Sequence, residues 1–129
     1  MPRIQRFEDM EVFQRARELT KGIYQATSVG RFARDFSLRD QIRRCAVSVM
    51  SNIAEGFERD GDREFLQFLS VAKGSCGELR AQLYAAVDQR YLTQEQFELL
   101  HAQVLQLARM LSGLIHYLRQ SGLKGKKFR

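Results

Sequence analysis

Leu38, Ile42, Cys45, Val49, Ile53 and Gly56 return at three- and four-residue intervals across about five helical turns. That spacing is the α-helical repeat, and it excludes the two-residue alternation of a half-buried strand. Three other segments repeat it. Val12, Phe13, Ala16, Leu19, Ile23 and Tyr24 form one stripe, and Phe65, Leu69, Ala72, Cys76, Leu79, Leu83 and Val87 a second. Phe97, Leu100, Val104, Ala108, Leu111, Ile115 and Leu118 form the third. The single Pro is at position 2, so no later segment carries the strongest helix breaker. The spacing predicts helices over 9–26, 38–59, 63–90 and 93–122.

Local signals punctuate these stripes. Thr27-Ser-Val-Gly30 and Asp60-Gly-Asp62 read as breaks. Ser37, with Asp40 three residues on, is the expected cap of the second helix, and Asp62 that of the third. Thr93 and Gln96 have capping-box spacing, and Gly122 is a suitable stop. Short turns between long helices favour antiparallel neighbours. The expected fold is therefore all-α, an antiparallel up-down-up-down four-helix bundle. Its 129 residues suit one core: a domain over 1–122 and a basic tail over 123–129.

Gly56 needs a physical reason, because Gly costs about 1 kcal/mol relative to Ala inside a helix. The usual reason is close approach by another backbone. Gly74-Ser-Cys-Gly77 invites the same explanation. Apolar residues also spread beyond the stripes. Ala46, Val47, Met50, Ala54 and Phe57 flank the second helix stripe; Leu66, Phe68, Val71 and Tyr84 the third; Leu99, Leu105, Leu107 and Leu114 the fourth. Such flanks mean a thick core or a buried subunit contact, and self-association is the favoured expectation.

Net charge is +6, to which Lys124, Lys126, Lys127 and Arg129 supply four positive charges at the end of the tail. Such a tail can bind nucleic acid by counterion release, although a solvated terminus that aids solubility is the plainer reading. A second basic cluster comprises Arg31, Arg34, Arg39, Arg43 and Arg44, interleaved with Phe32 and Phe36 and diluted by Asp35 and Asp40. Arginines beside aromatics can hold phosphates and stack bases. The alternative is a solvated loop whose Phe residues plug the bundle end.

Catalytic chemistry finds little support. Glu98-Leu-Leu-His101 is a Glu-x-x-His, but a di-iron bundle needs two such motifs plus further Glu residues, and His116 follows Gly113 instead. His101 then reads as a flank residue with a satisfied hydrogen bond. No phosphate-loop or nucleophile-elbow spacing occurs. Neither metal nor cofactor is expected, and the chain reads as non-enzymatic. Cys45 and Cys76 lie on apolar faces and read as buried thiols of a reducing compartment. With no signal-peptide core at the start and no membrane-length apolar run, the expectation is cytoplasmic. Ser48, Asn52, Glu55 and Arg59 share an edge of the second helix. Glu55 and Arg59 can pair, and the Asn52 amide is expected to bond across helices. The group reads as a polar site or, preferably, a network that fixes packing and register.

Arg43-Arg-Cys-Ala-Val-Ser-Val-Met-Ser-Asn-Ile-Ala-Glu-Gly56 with Arg59, Glu64-Phe-Leu-Gln-Phe-Leu69 with Ala72, Gly74, Ser75, Glu78 and Leu79, and the opening Phe7-Glu-Asp-Met-Glu-Val-Phe13 carry a resemblance. From about Phe7 to Leu118 the chain resembles the four-helix-bundle proteins named for 23S rRNA intervening sequences. It departs from them at Met50, where the family often has Pro, and at Phe13, where Trp is common. The resemblance implies a homo-oligomer, typically a pentamer. The accessory variability proteins of diversity-generating retroelements, basic pentameric bundles that bind a reverse transcriptase and nucleic acid, are distantly similar. The leading expectation is an oligomeric scaffold that binds nucleic acid, structured RNA foremost, through the arginine cluster and the tail. The alternative is a protein-interaction adaptor, for example for a polymerase or reverse transcriptase.

Overall fold

A computed structural model describes residues 4–121, which are helical almost throughout. After a 3-10 turn at Phe7–Asp9 come α1 (Glu11–Thr27), α2 (Gly30–Arg34), α3 (Phe36–Glu58), α4 (Asp62–Asp88) and α5 (Gln94–Gln120). The four long helices are those the spacing predicts; α2 is additional. Gly122 and the tail residues Lys124, Lys126, Lys127 and Arg129 lie outside the described residues.

The long helices form a bundle in which α1 and α4 each pack on α3 and α5. Thr20 of α1 meets Ala46 of α3, while Thr27 meets Arg43, so α1 and α3 run antiparallel. Gly56 lies against Phe65 and Phe68 of α4, while Ser48 meets Ser75, so α3 and α4 also run antiparallel. The predicted stripes face inward: Leu19, Ile23, Ile42, Val49, Ile53, Leu69, Leu79, Leu83, Val104 and Leu111 are buried. Buried Thr20 and Thr27 donate their hydroxyls to the carbonyls of Ala16 (2.8 Å) and Ile23 (2.7 Å), which satisfies them inside the core.

Two caps differ from expectation. Helix α3 starts at Phe36, and Asp35 caps it by accepting the Leu38 N–H at 3.1 Å. Ser37 already lies inside the first turn, because α2 delivers the chain into α3 earlier than the apolar pattern shows. Helix α4 is capped by Gly61, whose φ of 109° suits only glycine; Asp62 is its first helical residue and is buried. The Thr93–Gln96 capping box forms as expected.

The apolar flanks divide. Ala46, Phe57, Leu66 and Leu107 are buried in the core, whereas Val47, Val71, Tyr84 and Leu99 are exposed. The glycines divide too. A Cβ on Gly56 would lie 2.6 Å from Phe68 Cβ, so α4 crosses α3 too closely for any side chain there. Gly74 and Gly77 face open space, and no helix of this chain approaches them. Both cysteines are buried. Burial, and then the nearby Glu78, push the Cys45 thiol up to about 12; burial pushes Cys76 up to about 11. No described helix is long and apolar enough to cross a membrane.

Candidate nucleic-acid interface

The corner where α2, the start of α3 and the end of α4 meet is built around Tyr91. Helix α4 ends in a Schellman turn. Arg90 N–H bonds to the Val87 carbonyl at 3.0 Å and Tyr91 N–H to the Ala86 carbonyl at 2.9 Å. This puts Arg90 at φ 61°, a left-handed conformation usually left to glycine. The turn places the Tyr91 ring in a stack on Phe32 (centroids 5.1 Å apart), and Phe32 is buried. The Tyr91 hydroxyl donates to Asp35 Oδ2 at 2.8 Å, and Asp35 Oδ1 caps α3. The Leu38 N–H, then the Tyr91 hydroxyl, hold the Asp35 carboxyl below its ordinary value; Asp35 raises Tyr91 in return. One carboxylate thus joins three elements.

The five arginines of this corner separate by what they touch. Arg39 donates to Asp40 Oδ1 and to the Ala33 carbonyl, both at 3.0 Å, with its guanidinium 4.7 Å from the Phe36 ring centroid. Arg43 donates to Thr27 Oγ1 at 2.8 Å and Ser28 Oγ at 3.0 Å, and lies 4.6 Å from the Tyr24 centroid. These two tie α3 to the preceding segments. Arg31, Arg34 and Arg44 are exposed; Arg31 lies over the Tyr91 ring at 5.4 Å, and none of the three has an ion pair among the described residues. Of the interleaved phenylalanines, Phe32 plugs the bundle end but Phe36 is 63% exposed. A shallow depression of about 360 Å³ lies between Tyr24, Asp40, Arg43, Arg44 and Val47. A second, of about 330 Å³, shares Arg44 and continues over Gln41, Cys45, Ser48, Ser75 and Glu78.

The polar edge of α3 bonds mainly along its own helix and crosses to α4 at Ser48. Asn52 Nδ2 donates to the Ser48 carbonyl (2.8 Å) and Ser48 Oγ (3.1 Å), along its own helix rather than across helices as expected. The crossing is made by Ser48 itself, whose hydroxyl meets Ser75 Oγ at 3.1 Å. Glu55 and Arg59 pair at 2.7 Å on the surface, and the Arg59 guanidinium lies 5.1 Å from the Phe68 centroid. With Gly56 beneath, these contacts set how α3 lies on α4.

A groove of about 860 Å³ between α1 and α5 is invisible in the sequence, because it arises from the spacing of two helices and not from a motif. Arg15, Glu18, Lys21, Met50, Gln103 and Gln106 line it. At the other side of α5, Glu98 is exposed and accepts from Gln94 at 3.1 Å. His101 packs against Phe97 and Tyr84, and its buried Nε2 has no hydrogen-bond partner among the described residues, contrary to expectation. The ring is held by an edge contact with Tyr84 and a tilted contact with Phe97. No cluster of three metal-ligating side chains occurs among the described residues.

Comparison with known proteins agrees with this architecture. The family described as 23S rRNA-intervening sequence protein matches residues 8–113. A crystal structure of a protein of unknown function from the S23 ribosomal protein family of Bacteroides thetaiotaomicron superposes with a TM-score of 0.74. It is 22% identical, and the match covers 81% of this chain and 97% of that one. None of the curated proteins matches.

Proposed function

Because the chain belongs to the 23S rRNA-intervening sequence protein family, whose members have no assigned activity to carry over, we propose a function from the surface itself. The protein is a non-catalytic binding scaffold that assembles as a homo-oligomer and engages nucleic acid, structured RNA foremost, at the α2–α3 corner. One observation carries this reading. Among the described residues Arg31, Arg34 and Arg44 are exposed without ion pairs, while Asp40 pairs with Arg39 and Asp35 is held by Leu38 and Tyr91. With five arginines set against Asp35, Asp40 and the neighbouring Glu78, the corner presents a net positive charge. Assembly would repeat it around the oligomer and raise the avidity of a weak patch, and the basic tail adds charge to each copy.

Phosphate binding of this kind releases counterions, so affinity falls steeply with salt. Titrating a labelled RNA hairpin by fluorescence anisotropy across a salt series is the test. Replacing Arg31, Arg34 and Arg44 with Gln should weaken binding and flatten the salt slope by about one per lost phosphate contact. An affinity indifferent to salt would sink the proposal.

A second reading is a protein adaptor, and the exposed pair Val29 and Leu99 favours it. Both line a groove of about 450 Å³ with Gln25, Ala26 and Gln96. Binding of a protein partner that survives the arginine replacements would favour this reading.

A further inference from the structure

We infer that the α2–α3 corner selects unpaired nucleotides, with Phe36 as the platform on which a base stacks. This rests on the nucleic-acid reading above and adds which form of nucleic acid the site takes. The first ground is exposure. Phe36 opens α3 yet is 63% exposed, while the neighbouring Phe32 is buried. Arg39 lies over one face of the Phe36 ring, and a base would stack on the other. A large aromatic left open in this way does nothing for the core.

The second ground is the order of groups along the surface. Arg39 and Arg43 are one turn apart on α3 and stay neighbours. Each stacks on an exposed aromatic, Phe36 at 4.7 Å and Tyr24 at 4.6 Å. Two guanidinium–aromatic pairs thus follow one another along α3, Phe36 with Arg39 and then Arg43 with Tyr24. Because Arg39 and Arg43 also bond to Ala33, Asp40, Thr27 and Ser28, their planes are fixed. They hold the rings in place and are less free to follow a phosphate. Arg31, Arg34 and Arg44 keep that role.

The third ground is charge. Five arginines stand against Asp35 and Asp40 in this segment, and an anionic ligand with flat apolar faces complements both features. An unpaired strand offers backbone charge together with open base faces, whereas a duplex keeps its base faces stacked inside. An acidic peptide supplies the charge without the flat rings.

The experiment exploits the absence of Trp from the chain. Phe36→Trp installs a single reporter at the platform. Oligouridine, a blunt RNA duplex of equal length and poly-glutamate are titrated against it. Stacking should quench the Trp emission with oligouridine, at a concentration that leaves the duplex and poly-glutamate without effect. In the otherwise native chain, Phe36→Ala should weaken oligouridine about tenfold, and Phe36→Leu nearly as much, since Leu keeps apolar bulk but has no π-face. Circular dichroism confirms that both variants fold, as expected for an exposed side chain. Equal binding of single strand and duplex with no effect of Phe36→Ala would overturn base selection and leave the phosphate scaffold standing. Binding of neither RNA would overturn both. Quenching by poly-glutamate equal to that by oligouridine would overturn the nucleotide as ligand in favour of an acidic protein segment.

Discussion

Glycine shows how far single residues can be read. Gly56 announces itself in sequence because it interrupts a helical stripe, and the structure supplies the cause: a Cβ there would lie 2.6 Å from Phe68 Cβ and 3.1 Å from Phe65 Cδ1. Gly74 and Gly77 look alike in sequence yet meet nothing within the chain, since a residue type records that a side chain is missing and not what replaces it. Phe32 and Phe36 diverge in the same way, four residues apart and on opposite sides of the bundle surface. Gly56→Ala should destabilise the fold by up to about 2 kcal/mol, because overpacking of about 1–3 kcal/mol is only partly offset by the gain of about 1 kcal/mol in helix propensity. Gly113→Ala, at a helical position with nothing near its Cβ, should be neutral or stabilising. Urea unfolding followed by circular dichroism compares the two. Equal effects would mean that α4 does not cross α3 at Gly56.

Elements with sustained periodicity were legible; the junctions between them were less so. Four long helices follow from spacing alone, and the Thr93–Gln96 box forms where its two residues predict it. The five-residue α2 is too short to show a period. Its neighbour Asp35 caps α3 through a carboxylate that also takes Tyr91 from 56 residues away, a partnership no local pattern reveals. The Schellman turn that delivers Tyr91 carries Arg90 where glycine would be the signal. This junction has a pH signature with a definite sign. Asp35 is held below its ordinary 3.8, so its contribution is complete above 3.8 and is lost as pH falls through the lower folded value. Tyr91 is held above its ordinary 10.0, so its contribution is complete below 10.0 and is lost as pH rises through the higher folded value. Asp35→Asn keeps a capping oxygen but removes the charge. The stability gap between native chain and variant should therefore be widest near neutrality and should shrink below pH 3.8. Urea midpoints on either side of that value test this; a gap that stays constant would place the cause of Asp35's contribution elsewhere.

At the scale of the molecule, the apolar excess was legible but its destination was not. The same flank pattern describes Leu66 and Leu107, which thicken the core, and Val71 and Tyr84, which face outward. Periodicity gives a residue's angle on its helix, while burial depends on how near the adjacent helix comes. The outward residues converge on one feature. Along α4, Val71, Gly74, Gly77, Ala81 and Tyr84 are all exposed and recur at three- and four-residue spacing on one face. Two helical glycines with no close neighbour inside the chain each cost about 1 kcal/mol in helix propensity, which contacts with a partner helix would offset. A helix from a second copy resting on that small-residue floor, between Val71 and Tyr84, would account for both the glycines and the exposed apolar ends. We expect light scattering after size exclusion to give a discrete multiple of 15.0 kDa at micromolar concentration. Gly77→Glu should lower that mass while leaving the helical circular dichroism unchanged, because the position is open within the chain. The same substitution at Gly113, open but on α5, should leave the mass alone. A native chain that elutes at 15.0 kDa would remove self-association, and with it the avidity that the proposed binding function draws on. A discrete oligomer untouched by Gly77→Glu would keep the assembly and move its interface off α4.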